Sequence, residues 1–267
     1  MLKLVILGMS EKLNIAFIQA DLKWEDAEAN RRMFSEKIEN ISNEVELIIL
    51  PEMFTTGFSM NAENLAEPTQ GPTLKWMQEQ ARLKNAAVTG SVIISENGHY
   101  YNRLFFVFPE GSYEIYDKRH TFTLAKEDLT YTAGKDRLIV DYKGWKICPL
   151  ICYDLRFPVF ARNTVDYDLL IYVANWPEKR VNAWDALLKA RAIENMSYCV
   201  GVNRTGEDGD GYVYNGHSAA YDSLGKDLTE VERDGVFTSE LSLDRSHLQE
   251  TRSKLRFLQD RDRFTLH

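Results

Sequence analysis

The sequence predicts a mixed α/β fold, specifically a four-layer αββα sandwich in which two mixed β-sheets pack face to face with helices outside. Short apolar runs rich in β-branched and aromatic residues recur along the chain, and such runs are typical of buried strands. Between residues 87 and 117 three of these runs follow one another with only turns between them, which breaks the strand–helix alternation of a barrel. Only four or five helical segments remain for this many strands, so helices are expected to cover the outer faces of two sheets.

Helices are predicted where apolar residues recur at helical spacing, and strands where they form short continuous or alternating runs. The predicted strands span residues 13–19, 45–50, 87–95, 100–108, 112–117, 138–142, 145–151, 168–173, 197–203, 218–222 and 236–241. The predicted helices span residues 26–41, 69–84, 157–163 and 184–195. Because no linker rich in Pro, Gly and Ser and no repeat divides the chain, residues 13–267 are expected to form one domain. Residues 1–12 are interpreted as an N-terminal extension, since Met9 begins a segment that resembles a natural start.

The charge balance and the cysteine content narrow the function classes. The formal net charge is −8 and no cluster of Lys and Arg appears, which argues against a nucleic-acid or membrane-surface partner. No segment approaches the roughly 18 apolar residues that a membrane-spanning helix requires. Three cysteines are an odd and sparse set, unlike a disulfide-stapled secreted domain. We therefore expect reduced thiols and a cytoplasmic location.

Cys152 follows a predicted buried strand at a point where the sequence changes from apolar residues to Tyr153-Asp154-Leu155-Arg156. A nucleophile at such a strand-to-helix turn is presented at the sheet edge, and the following backbone N–H groups can face an oxyanion. Most cysteines are small buried hydrophobic residues, and position alone leaves that alternative open. Cys148 and Cys199 lie inside apolar strands, where it is the preferred interpretation.

A thiol nucleophile needs a base or a neighbouring cation, because its ordinary pKa is about 8.5. Glu52 follows the apolar run 45–50, at the same kind of sheet edge as Cys152. Lys118 ends the third strand of the 87–117 stretch. Each residue in isolation could equally be a solvated surface charge.

Taken together, these positions resemble the nitrilase superfamily of carbon–nitrogen hydrolases from Asn14 to about Phe264. The motifs are PEMF around Glu52, YDKRH around Lys118 and ICYDLRFP around Cys152, in the family's order. Supporting segments are AGKD from Ala133, ANWP from Ala174, KARAIENMSYCVGVNRTG from Lys189 and GHSAAYDSLG from Gly216.

The resemblance implies a role for each motif residue. Glu52 would act as general base, Cys152 would form a thioester, and Lys118 with the backbone N–H of Tyr153 would bind the oxyanion. Glu127 matches a second family glutamate that would orient Lys118. No cofactor is implied, and no metal is expected, since the chain has no HExxH and no paired CxxC.

Within the superfamily, the neighbourhoods of these motifs look most like the omega-amidase branch. That branch hydrolyses the terminal amide of small acids such as 2-oxoglutaramate. Arg156 is the candidate for binding the substrate carboxylate, with Arg204 as a weaker alternative, although Arg156 could equally anchor the helix after the nucleophile. Phe54, Phe122 and Trp176 are expected to wall the substrate pocket.

Two alternative functions remain open. The same three catalytic residues could serve nitrile hydrolysis or acyl transfer, and a degenerate hydrolase fold could serve as a non-enzymatic interaction protein.

Family members commonly dimerise, so a homodimer is expected. Its apolar surface is predicted from the helices that carry Phe157, Val159, Phe160, Trp184, Leu187 and Leu188.

Overall fold

Two β-sheets form the centre of the structure, a computed structural model that describes residues 11–265. The first sheet contains β1 (Lys12–Gln19), β2 (Leu47–Ile49), β3 (Glu67–Pro68), β4 (Ala87–Glu96), β5 (His99–Val107), β6 (Tyr113–Asp117) and β14 (Phe237–Asp244). Its hydrogen-bonded order is β14-β1-β2-β4-β5-β6, with β3 beside β4. Strands β1, β2 and β4 are parallel, whereas β4, β5 and β6 form an antiparallel meander, so the sheet is mixed.

The second sheet is also mixed. It contains β7 (Val140–Tyr142), β8 (Trp145–Ile151), β9 (Leu169–Val173), β10 (Tyr198–Val202) and β13 (Ala219–Tyr221). Their order is β13-β10-β9-β8-β7, with β8, β9 and β10 parallel. A separate hairpin joins β11 (Thr205–Glu207) to β12 (Val213–Asn215).

The helices are α1 (Ala27–Glu39), α2 (Ala62–Leu65), α3 (Pro72–Lys84), α4 (Glu127–Thr130), α5 (Pro158–Ala161), α6 (Val181–Asn195) and α7 (Arg245–Leu255). Helix α1 begins after Asp26, whose side chain accepts a hydrogen bond from the N–H of Ala29. Helix α3 begins with Pro72, which is tolerated there because the first-turn N–H has no intrahelical partner. No helix among residues 11–265 is both long enough and apolar enough to cross a membrane.

Side-chain alternation along β1 shows the layer order. Ile15 and Phe17 belong to the apolar cluster between the two sheets, and Ala16 and Ile18 belong to the cluster beneath α1 and α3. Helix α6 covers the second sheet so closely that a Cβ on Gly201 would lie 2.4 Å from Leu188. Helices thus lie outside both sheets, and the predicted four-layer sandwich is confirmed.

The predicted elements occur in the predicted order, and the differences concern short or polar elements. The helix predicted over 157–163 is only the four-residue α5, because Pro158 begins it and Arg162 already has extended backbone. Strand β3, the four-residue helices α2 and α4, helix α7 and the β11–β12 hairpin were not predicted. Helix α7 contains only two leucines and many charged residues, and each hairpin strand has only three residues, so neither gives a clear apolar pattern.

The first and the last strand lie side by side, because β1 pairs with β14 from Lys12↔Asp244 to Gln19↔Phe237. Strand β1 begins at Lys12, so the last residue of the expected extension 1–12 is part of the sheet. Residues 1–10 of that extension lie outside the described residues. The single domain over 13–267 stays a prediction.

Candidate active site

Three strand ends bring the predicted catalytic side chains together. Glu52 follows β2 and Lys118 follows β6 in the first sheet, and Cys152 follows β8 in the second. Both Lys118 and Cys152 line one cavity of about 380 Å³. Glu52 lies behind them with no exposed surface, and its carboxylate contacts Lys118.

Lys118 is the centre of a buried charge cluster. Its Nζ lies 2.9 Å from Glu52 Oε1 and 2.9 Å from each carboxylate oxygen of Glu127. Burial disfavours the ammonium and lowers the pKa of Lys118. The charges of Glu127 and Glu52 together have the larger effect, so the pKa of Lys118 lies above its ordinary value. Burial raises the pKa of Glu127, with Glu52 adding to the effect and Lys118 opposing it. Lys118 is therefore held as a cation between two carboxylates.

Asn102, inside β5, is a member of this cluster that the sequence analysis missed. Its Nδ2 donates to Glu52 Oε1 at 2.8 Å and to Glu127 Oε1 at 3.2 Å, and its carbonyl accepts from the N–H of Lys118. The side chain is buried, so these bonds partly compensate two buried negative charges. The signal available in the sequence was Asn102 next to Arg103, two polar residues before the apolar end of β5.

The backbone at Cys152 has the left-handed conformation, with φ of 43°. This conformation is uncommon for a residue other than glycine and recurs at functional turns. Burial raises the pKa of the Cys152 thiol well above its ordinary value, and the negative charge of Glu52 adds to the shift while Lys118 opposes it. The neutral form of the Cys152 thiol is thus favoured, and Glu52 is the carboxylate beside it.

Asn175 connects Glu52 to the second sheet. Its backbone N–H donates to Glu52 Oε2 at 2.8 Å, and its Nδ2 donates to the Glu52 carbonyl at 2.6 Å. Its own carbonyl lies 3.8 Å from the Sγ of Cys152. Glu52 and Cys152, which come from different sheets, are thereby connected through a single residue.

Asp154 connects the Cys152 turn to the Lys118 segment. One carboxylate oxygen accepts from the Ile151 N–H at 2.9 Å and from the Tyr116 hydroxyl at 2.7 Å. The other accepts from the backbone N–H of His120 at 3.1 Å and lies 2.8 Å from its Nδ1. Asp154 is fully buried, so it fixes the two catalytic segments relative to each other without facing the cavity.

Four residues predicted for the oxyanion or substrate line the cavity: Tyr153, Arg156, Phe122 and Trp176. Phe54 does not, and the prediction for it is wrong. It is buried beneath the helices, with its ring centre 5.5 Å from that of Phe34 and 5.6 Å from that of Trp76. Phe58, four residues further along the sequence, lines the cavity.

Arg204, the weaker candidate for the substrate carboxylate, does not line the cavity either. Its guanidinium is buried and donates to the carbonyls of Leu22, Thr205 and Glu207. It also lies 4.7 Å from the ring of Tyr214, so it braces the β11–β12 hairpin rather than binding substrate.

Arg180 and the hairpin residues of the cavity wall were not predicted. The remaining lining residues are Phe58, Met60, Leu124, Ala125, Asn175, Pro177, Arg180, Asp208, Asp210, Tyr212 and Tyr214. The hairpin residues follow β10 in a polar, glycine-containing segment that reads as an ordinary surface loop. Arg180 could have been suspected, because it closely follows the motif ANWP.

Comparison with known proteins agrees with this geometry. The family model described as carbon–nitrogen hydrolase matches residues 14–253. The chain is 43% identical to the omega-amidase YafV of Escherichia coli K12 over 95% of this chain and 98% of the relative. It is 33% identical to the 2-oxoglutaramate amidase of Bacillus subtilis, over 88% of this chain and 93% of that protein.

A solved structure is also similar over nearly the whole chain. XC1258 from Xanthomonas campestris, described as a CN-hydrolase superfamily protein with an arsenic adduct in its active site, superposes with a TM-score of 0.93. It is 42% identical and the match covers 96% of this chain and 99% of that chain.

Proposed function

Since the chain belongs to the carbon–nitrogen hydrolase family and is an amidase of its omega-amidase branch, we propose that it hydrolyses the terminal amide of a small carboxylate-bearing substrate such as 2-oxoglutaramate. The reaction would proceed through a thioester on Cys152 and release ammonia. The observation that carries this proposal is the convergence of a neutral thiol, a buried carboxylate and a buried ammonium at the inner end of one cavity.

In the acylation step, Glu52 takes the proton of the Cys152 thiol as sulfur attacks the amide carbon. A C–S bond forms, and the carbonyl π electrons move to oxygen. The oxyanion is stabilised by the ammonium of Lys118 and the backbone N–H of Tyr153. When the C–N bond breaks, the proton held by Glu52 passes to the leaving nitrogen and ammonia departs.

In the deacylation step, Glu52 takes a proton from a water molecule, and the oxygen of that water attacks the thioester carbon. The C–S bond then breaks, and the proton returns to sulfur, which regenerates the thiol. Glu127 does not contact the reacting atoms in this scheme. Its carboxylate keeps Lys118 charged and oriented, since both of its oxygens lie 2.9 Å from Nζ.

The test is ammonia release by purified protein from 2-oxoglutaramate, compared with release from a simple nitrile. Turnover of the amide and none of the nitrile supports the proposal. Turnover of the nitrile alone, or transfer of the acyl group to an added amine in preference to water, would favour the other activities available to the same residues. No reaction with a broad set of amides would instead favour a non-enzymatic role.

We also propose that the protein acts in the cytoplasm as a homodimer. Cys148, Cys152 and Cys199 are all free thiols, which suits a reducing compartment. Of the apolar residues predicted for the dimer surface, Val159 is 55% exposed. Ile193 on α6, which was not among them, is 45% exposed.

The other members of the predicted surface fall into two groups. Phe160, Trp184 and Leu188 are buried within the protomer, because α5 and α6 pack them onto the second sheet, and only the remainder are available for a partner. Light scattering tests the assembly: a mass of twice 30.8 kDa supports a dimer, and a mass of 30.8 kDa at working concentration contradicts it.

A further inference from the structure

Two guanidinium groups line the catalytic cavity without an anionic partner. Among residues 11–265, neither Arg156 nor Arg180 forms a hydrogen bond or ion pair through its side chain. Other arginines of the described chain, such as Arg103 and Arg252, have carboxylate partners within 3 Å. An unpaired cation beside a substrate cavity indicates a ligand that brings the missing negative charge.

Aromatic rings of the cavity wall hold both guanidiniums. The Cζ of Arg156 lies 4.7 Å from the ring centre of Trp176, and that of Arg180 lies 5.3 Å from the ring centre of Phe122. A guanidinium held against a ring keeps its planar fork available for bidentate bonds to a carboxylate. Lysine would offer a point charge without that geometry.

Arg180 is the better placed of the two. Its backbone carbonyl accepts a hydrogen bond from the indole Nε1 of Trp176 at 2.8 Å, which fixes its main chain against the wall. Arg180 is partly buried, whereas Arg156 is exposed, so a carboxylate would be less screened by water at Arg180.

Two carboxylates line the same cavity, but among the described residues neither forms an ion pair with Arg156 or Arg180. The oxygens of Asp208 accept hydrogen bonds from the Tyr214 hydroxyl at 2.6 Å and from the N–H groups of Asp210 and Tyr212. Asp210 is exposed to solvent, which screens its charge.

We infer that Arg180, assisted by Arg156, is the specificity-determining residue that selects amides with a free carboxylate at the end opposite the amide. This inference rests on the proposed amidase function and adds the residue that binds the end of the substrate opposite the amide. The carboxylate would dock between the two guanidiniums while the amide carbon lies at Cys152.

The test compares two amides of equal length, glutaramate with a terminal carboxylate and pentanamide without one. For Arg180→Ala, kcat/KM for glutaramate is expected to fall by about 10–100-fold and that for pentanamide by much less. Arg180→Lys should lie between wild type and Arg180→Ala, and Arg156→Ala should have a smaller effect.

Lys179→Ala is the matched control. Lys179 precedes Arg180 and carries the same charge, but it does not line the cavity, and its Nζ lies 5.9 Å from the ring centre of Tyr212. It should leave the ratio of the two kcat/KM values unchanged. The inference is wrong if Lys179→Ala and Arg180→Ala change that ratio equally. It is also wrong if Arg180→Ala lowers kcat/KM for both amides by the same factor.

Calorimetric binding of glutarate separates this inference from the proposed function. Glutarate should bind at least about tenfold more weakly to Arg180→Ala than to wild type, whether or not any amide is turned over. If wild type hydrolyses neither amide but shows this difference, the proposed function fails and the carboxylate site stands. Equal glutarate affinity in wild type and in folded Arg180→Ala and Arg180→Lys variants overturns the site.

Discussion

At the inner end of the cavity, the buried ammonium of Lys118 lies 2.9 Å from the carboxylates of both Glu52 and Glu127. On the outer wall, the guanidiniums of Arg156 and Arg180 have no carboxylate partner among residues 11–265 and lie against aromatic rings. The inner charges are oriented before a substrate arrives, which is the arrangement that stabilises charge developing during a reaction. The outer charges are left for the ligand to pair.

This difference separates two kinds of variant. Removing one member of the inner cluster leaves a buried charge without its partner, which typically costs about 3–5 kcal/mol of folding stability. Activity and stability are therefore coupled there. On the outer wall solvent reaches the charges, so substitutions should change substrate preference with little change in stability. This comparison is tested by variants that lower activity without lowering folding stability, or that lower stability without lowering activity.

The largest effect is expected for Cys152→Ala, which removes the nucleophile but none of the three charges. Loss of a nucleophile typically lowers kcat by about 10⁴–10⁶-fold, so turnover should fall below detection. Because Ala removes little volume, the thermal unfolding midpoint should stay close to that of wild type. Substantial amide turnover by a folded Cys152→Ala variant would contradict the thioester mechanism.

The sequence predicted most of the strands along the chain but not their order within the sheets, because strands buried on both faces give continuous apolar runs and a charged residue after such a run is conspicuous. Glu52, Lys118 and Cys152 were found in this way, and the family resemblance assigned their proposed roles. Helix α7 was missed because its exposed, charged face dominates its composition.

The residues that form the outer wall of the cavity were much harder to predict from the sequence. Phe54 and Phe58 are both aromatic residues in the segment after Glu52, and the sequence alone does not say which one faces the cavity. The left-handed conformation of Met53 turns the chain after Glu52, and this turn directs Phe54 into the core. Asp208 and Tyr214 join the site only because Arg204 and Trp24 hold the hairpin, and such long-range contacts leave no local pattern.

The next largest effect is expected for Glu52→Gln. The amide keeps the shape of the carboxylate but cannot take the thiol proton, so both acylation and deacylation should slow, by about 10²–10⁴-fold. Lys118 retains Glu127, and the inner cluster then holds one cation and one anion. Turnover assays and intact-mass spectrometry should find low activity and no accumulated acyl-enzyme. Accumulation of a stable thioester would restrict Glu52 to deacylation.

A smaller effect is expected for Asp154→Asn, which changes the connection between the two catalytic segments. An amide can accept with only one of its atoms, so the bond from either the Ile151 N–H or the His120 N–H is lost. A misplacement of about 1 Å can cost about 10²-fold, and we expect kcat to fall by about 10–100-fold. KM should change little, because the outer wall is untouched.

Asp168→Asn provides the control for Asp154→Asn. Asp168 is bonded to Arg252 at 2.9 Å and to Arg245 at 3.3 Å, and it does not line the cavity. It should lower the unfolding midpoint while leaving kcat of the folded enzyme near the wild-type value. If Asp154→Asn behaves in the same way, Asp154 has only a structural role.

The smallest effects are expected from a pair of conservative changes, Phe54→Leu and Phe58→Leu. Phe54 has no exposed surface and packs against Phe34 and Trp76, so Phe54→Leu should destabilise the fold by about 1–2 kcal/mol without altering kinetics. The ring centre of Phe58 lies 5.2 Å from the Nζ of Lys118, and Phe58→Leu removes a contact worth about 0.5–2 kcal/mol. That change should lower kcat/KM a few-fold and shift the unfolding midpoint less than Phe54→Leu does. Thermal unfolding and steady-state kinetics on both variants decide: if Phe54→Leu changes KM while stability is unaffected, Phe54 faces the substrate after all and the division between core and cavity wall is misplaced.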